Sequence, residues 1–269
     1  SIYIIERERL FPGRTPKKMR DEDQIQKEVQ KLIAAVGSKT SLPRDGVVFA
    51  LELAIEQAVC EFFKVPECQV DIEDKSVAPI FQNLSSMETD KTDKTLPNIV
   101  SDVPFGEFSK NIIKHCRKLF FRNLSLMESA HLYEKWKCNV HQAVQGFIDR
   151  VDSDKAEIHI GDNVLGVMLK SEWVPKEIPL YRPGAVFWFY VNKVVESKSA
   201  VTVYLSRGSK NLPAALFKEK LPWAKFRVLK RIRGEKTWLN TSVPVDREVI
   251  AEVRLKLKGE VIEIQKADL

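Results

Sequence analysis

Five short runs of alternating apolar and polar residues lie between residues 138 and 206, and they restrict the fold more than any other feature. They read "VQGFIDRVD", "KAEIHIG", "NVLGVMLK", "GAVFWFYVNKVV" and "AVTVYLSR". A period of two sends alternate side chains to opposite faces, which marks strands with one buried face. Turn-forming residues separate the runs: Asp154-Lys155, Gly161-Asp162-Asn163, Pro183-Gly184 and Glu196-Ser197. Five strands in about seventy residues, with a longer connection before the fourth, fit a small closed Greek-key barrel of the OB type.

The flanking segments follow other rules. Residues 1–22 read as a basic extension. In "QIQKEVQKLIAAV", Ile25, Val29, Leu32, Ile33 and Val36 recur at helical spacing and stop at Gly37. A second helix begins near "SLPRDG", with Ser41 as its cap and Pro43 in its first turn. Val47, Leu51, Ala54, Ile55, Ala58 and Phe62 form its apolar stripe, and Glu52, Glu56 and Glu61 lie on its other side. "CQVDIEDK" reads as a strand, residues 85–106 as a polar loop, and residues 107–137 as one long uninterrupted helix. After the barrel, "NLPAALFKEKLPW" makes a short helix. The rest runs strand, strand, helix, strand, with Pro244 before the helix and Gly259 after it. That last ββαβ unit is too short to bury much core alone, so it packs on the barrel or is an incomplete domain. The fold class is α+β and multidomain: residues 23–137 helical, 138–223 the barrel with its short helix, 224–269 the ββαβ unit.

Charge is distributed unevenly along a chain of net charge +6. Residues 139–206 carry seven Lys/Arg against eight Asp/Glu, whereas residues 207–236 carry ten against two, a local net of 10 − 2 = +8. Such a cluster repels itself unless a polyanion is near, which points to nucleic acid. No apolar run approaches the length that a spanning helix needs. Cys60, Cys68, Cys116 and Cys138 lack CxxC or His-paired spacing and read as free thiols of a reducing cytoplasm. The four His residues form no HExxH, and neither a GxxxxGK[ST] nor a GxGxxG loop occurs. The expectation is a non-enzymatic, monomeric cytoplasmic protein with no cofactor and no membrane partner.

The stretch "SLPRDGVVFALELAIEQAVCEFF" followed by "CQVDIEDK" resembles the amino-terminal domain of the bacterial transcription elongation factor NusA. The long helix, the barrel and "LSRGSKNLPAALFKEKLP" follow in that family's order, so the resemblance spans residues 22–223. It implies an amino-terminal domain that docks on RNA polymerase at the β-flap, an S1-type barrel, and a role in pausing, termination or antitermination. Arg44, Phe49, Leu53, Glu56 and Gln57 are the polymerase-contact residues it implies. Tandem KH domains do not follow, because no GxxG occurs anywhere and the tail fits at most a degenerate KH half. The alternative is a stand-alone S1/OB module acting in translation or RNA decay.

S1 barrels stack bases on aromatic residues of their second and third strands. Here the corresponding aromatic pair is missing, Leu169 stands about where a His is expected, and His159 faces outward. Arg207 matches the family's closing Arg. Phe147 is assigned to the core, as are two residues of the run Phe187, Trp188, Phe189 and Tyr190, the other two facing out. Single-stranded RNA is then held mainly by charge, through Arg207, Lys210, Lys170, His159, Lys193, Arg227, Lys230, Arg231 and Arg233.

Overall fold

The computed structural model describes residues 22–64, 67–72, 76–81, 98–99, 103–104, 108–161, 164–197 and 200–266. The basic extension expected over residues 1–22 lies outside them except for Glu22. The chain divides into two compact units, Ser1–Glu128 and Ser129–Leu269.

In the first unit, helix α1 (Glu22–Gly37) and helix α2 (Arg44–Phe63) pack through Ile33, Val47, Ala50, Ala54, Ala58 and Val59. Small alanines let the helices approach closely. Pro43 itself occupies the cap position of α2, with ψ 158°. Ser41 turns away and donates its backbone N–H (2.9 Å) and hydroxyl (3.1 Å) to Glu128, so its expected capping role is not met. Lys64 closes α2 in the left-handed region at φ 54°. The stripe on α2 ends before Phe62, which is 52% exposed.

Strands β1 (Glu67–Asp71) and β2 (Ser76–Phe81) pair antiparallel. Part of the expected 85–106 loop is strand: β3 (Asn98–Ile99) and β4 (Val103–Pro104) both pair with β2. Two-residue strands are too short for a period-two pattern to register. Helix α3 (Lys110–Lys137) supplies Leu119, Phe120 and Leu124 to the first core and Trp136 to the second.

In the second unit, β5 (Ala143–Val151), β6 (Lys155–His159), β7 (Leu165–Leu169), β8 (Val186–Ser197) and β9 (Ala200–Ser206) close a barrel in the order β5-β6-β7-β9-β8. Only the β7–β9 pairing in it is parallel. Ile148, Ile158, Met168, Phe189, Val191, Val203 and Leu205 fill its interior. Glycine is required at position 146, where a Cβ would stand 2.9 Å from the His159 carbonyl oxygen. The connection from β7 to β8 contains two 3-10 turns, Lys170–Glu172 and Pro175–Leu180, which bring Glu172 and Glu177 against the end of β9.

Helix α4 (Leu212–Lys220) follows, then β10 (Phe226–Ile232), β11 (Lys236–Thr241), helix α5 (Arg247–Lys256) and β12 (Val261–Lys266). The sheet order is β10-β11-β12, with β10 antiparallel and β12 parallel to β11. Leu212, Leu216, Phe217, Val228, Leu239, Val253 and Leu257 form a third core together with Tyr190 of the barrel. Each such buried side chain contributes roughly 1.5–3 kcal/mol. Among the described residues, no helix is long and apolar enough to cross a membrane.

Candidate nucleic-acid interface

The basic segment is less exposed in space than it is in sequence. Arg207 follows directly on β9 with a side chain that is 0% exposed, its guanidinium meeting both carboxylate oxygens of buried Glu177. It also donates to the carbonyls of Trp188 (2.6 Å) and Lys256 (3.2 Å). The Tyr181 hydroxyl donates to Glu177 at 3.1 Å, and burial together with that carboxylate pushes the phenol's pKa up. Arg231 is equally enclosed. It binds Glu260 through Nε (2.9 Å) and Nη2 (2.8 Å) and donates Nη1 to the carbonyl of Arg207 at 3.0 Å. Glu260 also accepts from the Thr237 hydroxyl and the Gly234 N–H.

Neither arginine is placed to meet RNA, which corrects the expectation for both. Each guanidinium is consumed by a buried carboxylate and by backbone carbonyls. Lys220 and Lys236 pair with Glu252 (2.8 Å) and Glu263 (2.6 Å). Four of the ten cations in residues 207–236 are thus neutralised by carboxylates from outside that window. Lys210, Arg227, Lys230 and Arg233 are exposed, as is Lys170 at the end of β7. Arg233 lies over Gly208 and donates to the Ser171 carbonyl at 2.8 Å.

The outer face of the barrel carries what the sequence reading missed. Phe147 is 41% exposed and stacks on His159, with ring centroids 4.9 Å apart and planes at 14°. The two are directly opposed on β5 and β6, with Val186 and Leu165 continuing the row on β8 and β7. Gly146 and Ile148 are buried, so Phe147 between them must face out; its assignment to the core is corrected. Reading the alternation from Ile148, a fixed core residue, rather than from Phe147 would have found it. A second row runs Arg150, Glu157, Val167, Tyr204 and Lys193 across β5, β6, β7, β9 and β8. Lys193 Nζ sits 4.6 Å above the Tyr204 ring. A flat π pair bordered by apolar side chains can take an unstacked base on an exposed ring face.

The aromatic run on β8 is more enclosed than alternation alone implies. Phe187 and Phe189 point into the barrel, while Trp188 and Tyr190 are covered by the third core. Lys256 Nζ lies 4.0 Å over the Trp188 ring. None of the four is left for stacking bases.

The residues implied for polymerase contact lie on or beside α2. Phe49 is 55% exposed, and Leu53, Glu56 and Gln57 are half-buried. Arg44 donates to Gln30 at 3.2 Å, and Gln57 accepts from Arg122 and Asn123, both at 3.2 Å. Glu61 pairs with His115 at 2.6 Å. All four cysteines are free. Among the described residues, no group of three His, Cys, Asp or Glu is arranged to hold a metal ion.

No family model matches the chain. Among solved structures, the chain is similar to the solution structure of GSP13 from Bacillus subtilis, at 20% identity and a TM-score of 0.22. That match covers 26% of this chain and 55% of the other, so it spans little more than half of GSP13. A likeness so slight carries no argument; the barrel assignment stands on its own strand pairing.

Proposed function

We propose that the protein binds single-stranded RNA through the outer face of its barrel and acts as a transcription factor of NusA type. The Phe147–His159 stack carries the RNA reading, because a flat, partly exposed aromatic pair amid apolar side chains offers a base more than it contributes to the core. Lys170, Lys193 and His159 remain the barrel's cationic and aromatic contacts, and Lys210, Arg227, Lys230 and Arg233 supply phosphate contacts beyond it.

The test is fluorescence anisotropy with a labelled, unstructured oligoribonucleotide. Phe147→Ala, at an exposed position, is expected to weaken binding by about 1–3 kcal/mol, or roughly five- to hundred-fold, without lowering Tm. Unchanged affinity would remove the barrel from the interface.

The polymerase reading rests on the order of elements from α1 to α4 and on the exposed Phe49 of α2. Phe49→Ala is expected to abolish capture of a β-flap tip peptide while leaving RNA affinity intact. If the wild-type protein fails to bind that peptide in a pull-down, the alternative of a stand-alone RNA-binding module takes its place.

A further inference from the structure

The uncovered face of the three-stranded sheet β10-β11-β12 has no part in the barrel site. Its other face is packed under α4 and α5 through Val228, Leu239, Val253 and Leu257. Strand register fixes what the open face displays. Lys230, Trp238 and Glu263 form its central row. Arg227, Asn240 and Gln265 form the row on one side, and Ile232, Lys236 and Val261 the row on the other. Trp238 therefore stands at the centre of an open sheet, where a core-directed tryptophan could not be.

Two cations are gathered on that ring. Lys236 Nζ is 4.8 Å and Lys230 Nζ 5.6 Å from the Trp238 centroid. Glu263 neutralises Lys236 at 2.6 Å. Arg227 and Lys230 are exposed, and neither meets a carboxylate among the described residues. Buried Thr237 and Leu239 on either side of Trp238 fix β11 and so fix where the indole projects.

We propose that this face is a second contact for single-stranded RNA, with Trp238 as the stacking platform. The assignment rests on the RNA-binding reading given above and extends it to a separate surface. A base takes the indole face, since every base offers a π-surface of its own. Lys230 and Arg227 then receive the flanking phosphates, and Asn240 and Gln265 lie in reach of base edges in the adjoining row. The excess of cations over the single carboxylate on this face favours a polyanion over an acidic-rimmed protein partner.

The experiment uses the full chain and a labelled oligouridylate of about 20 nucleotides, long enough for two contacts. The variants are Trp238→Ala, Trp238→Phe, Lys230→Gln and Phe147→Ala, each checked for Tm. Trp238→Ala is expected to weaken binding about five- to hundred-fold, and Trp238→Phe, which keeps a ring, much less. Lys230→Gln is expected to reduce the slope of log affinity against log salt by about 0.7. Duplex RNA, whose bases stay stacked, is expected to be indifferent to Trp238. If both Trp238 variants bind as wild type while Phe147→Ala is impaired, the barrel alone reads RNA and this assignment is overturned, leaving the face to a protein partner. If both Trp238 variants lose affinity equally with lowered Tm, Trp238 is a packing residue and the assignment is likewise overturned. If the wild-type chain binds no RNA, the parent reading fails first. A defect from Trp238→Ala without one from Phe147→Ala keeps this face and removes the barrel.

Discussion

Arg207→Ala is expected to destabilise the second unit by about 3–5 kcal/mol, because it removes one partner of a buried ion pair and leaves Glu177 without its cation. The guanidinium bridges Glu177 of the β7–β8 connection, the Trp188 carbonyl of β8 and the Lys256 carbonyl of α5. Its removal leaves those acceptors without their guanidinium donor, and the Tyr181 hydroxyl, which donates to the same carboxylate, does not replace the lost charge. Calorimetry should show Tm falling by on the order of 10 °C. Arg207→Met combined with Glu177→Leu removes both charges and should recover most of the loss, since an apolar pair of similar volume often replaces a buried ion pair at little cost. Wild-type Tm together with lost RNA affinity in Arg207→Ala would return this residue to the RNA interface.

Glu260→Gln is expected to cost a similar amount near neutral pH and to change how stability responds to acid. Burial alone would raise the pKa of this carboxyl, but hydrogen bonds and charge from Arg231, with donors from Thr237 and Gly234, more than offset it and hold it below its ordinary value of 4.5. A carboxyl depressed in the folded state contributes stability above its unfolded pKa and loses it as pH falls through the folded one. The wild-type urea midpoint should therefore decline below about pH 4.5, while that of Glu260→Gln starts lower and stays flatter there. The two curves should converge in acid. Parallel curves from about pH 7 to pH 3 would show that Glu260 is not the titrating group.

The barrel was readable from sequence because its strands, β8 apart, are buried mainly on one side, so period two is written into the residues themselves. Ile148, Ile158 and Met168 each sit where alternation puts them. The candidate site was less legible, for two physical reasons. A one-residue choice of phase decides which side a strand residue faces, and Phe147 fell on the wrong side of it. Charge counted in a linear window ignores partners brought in by folding. Glu177 precedes Arg207 by thirty residues, and Glu260 follows Arg231 by nearly as many, so two arginines that looked available are spent on ion pairs. The β3 and β4 pairings were invisible for a different reason, since a two-residue strand has no period.

The linked arginines also govern when this part of the molecule can form during its synthesis. Arg207, next after the barrel's last strand, donates to the carbonyl of Lys256, and Arg231 donates to the Arg207 carbonyl while pairing with Glu260. A nascent chain emerging from the ribosome can pair all five barrel strands by residue 206. The Arg207–Glu177 pair needs nothing beyond residue 207, whereas the Lys256 carbonyl contact and the Arg231–Glu260 pair wait for residues 256 to 260. The barrel is consequently a poor candidate for excision or domain shuffling: cut free after α4, it would lose the Val228, Leu239, Val253 and Leu257 part of the third core and the Lys256 carbonyl that accepts from Arg207.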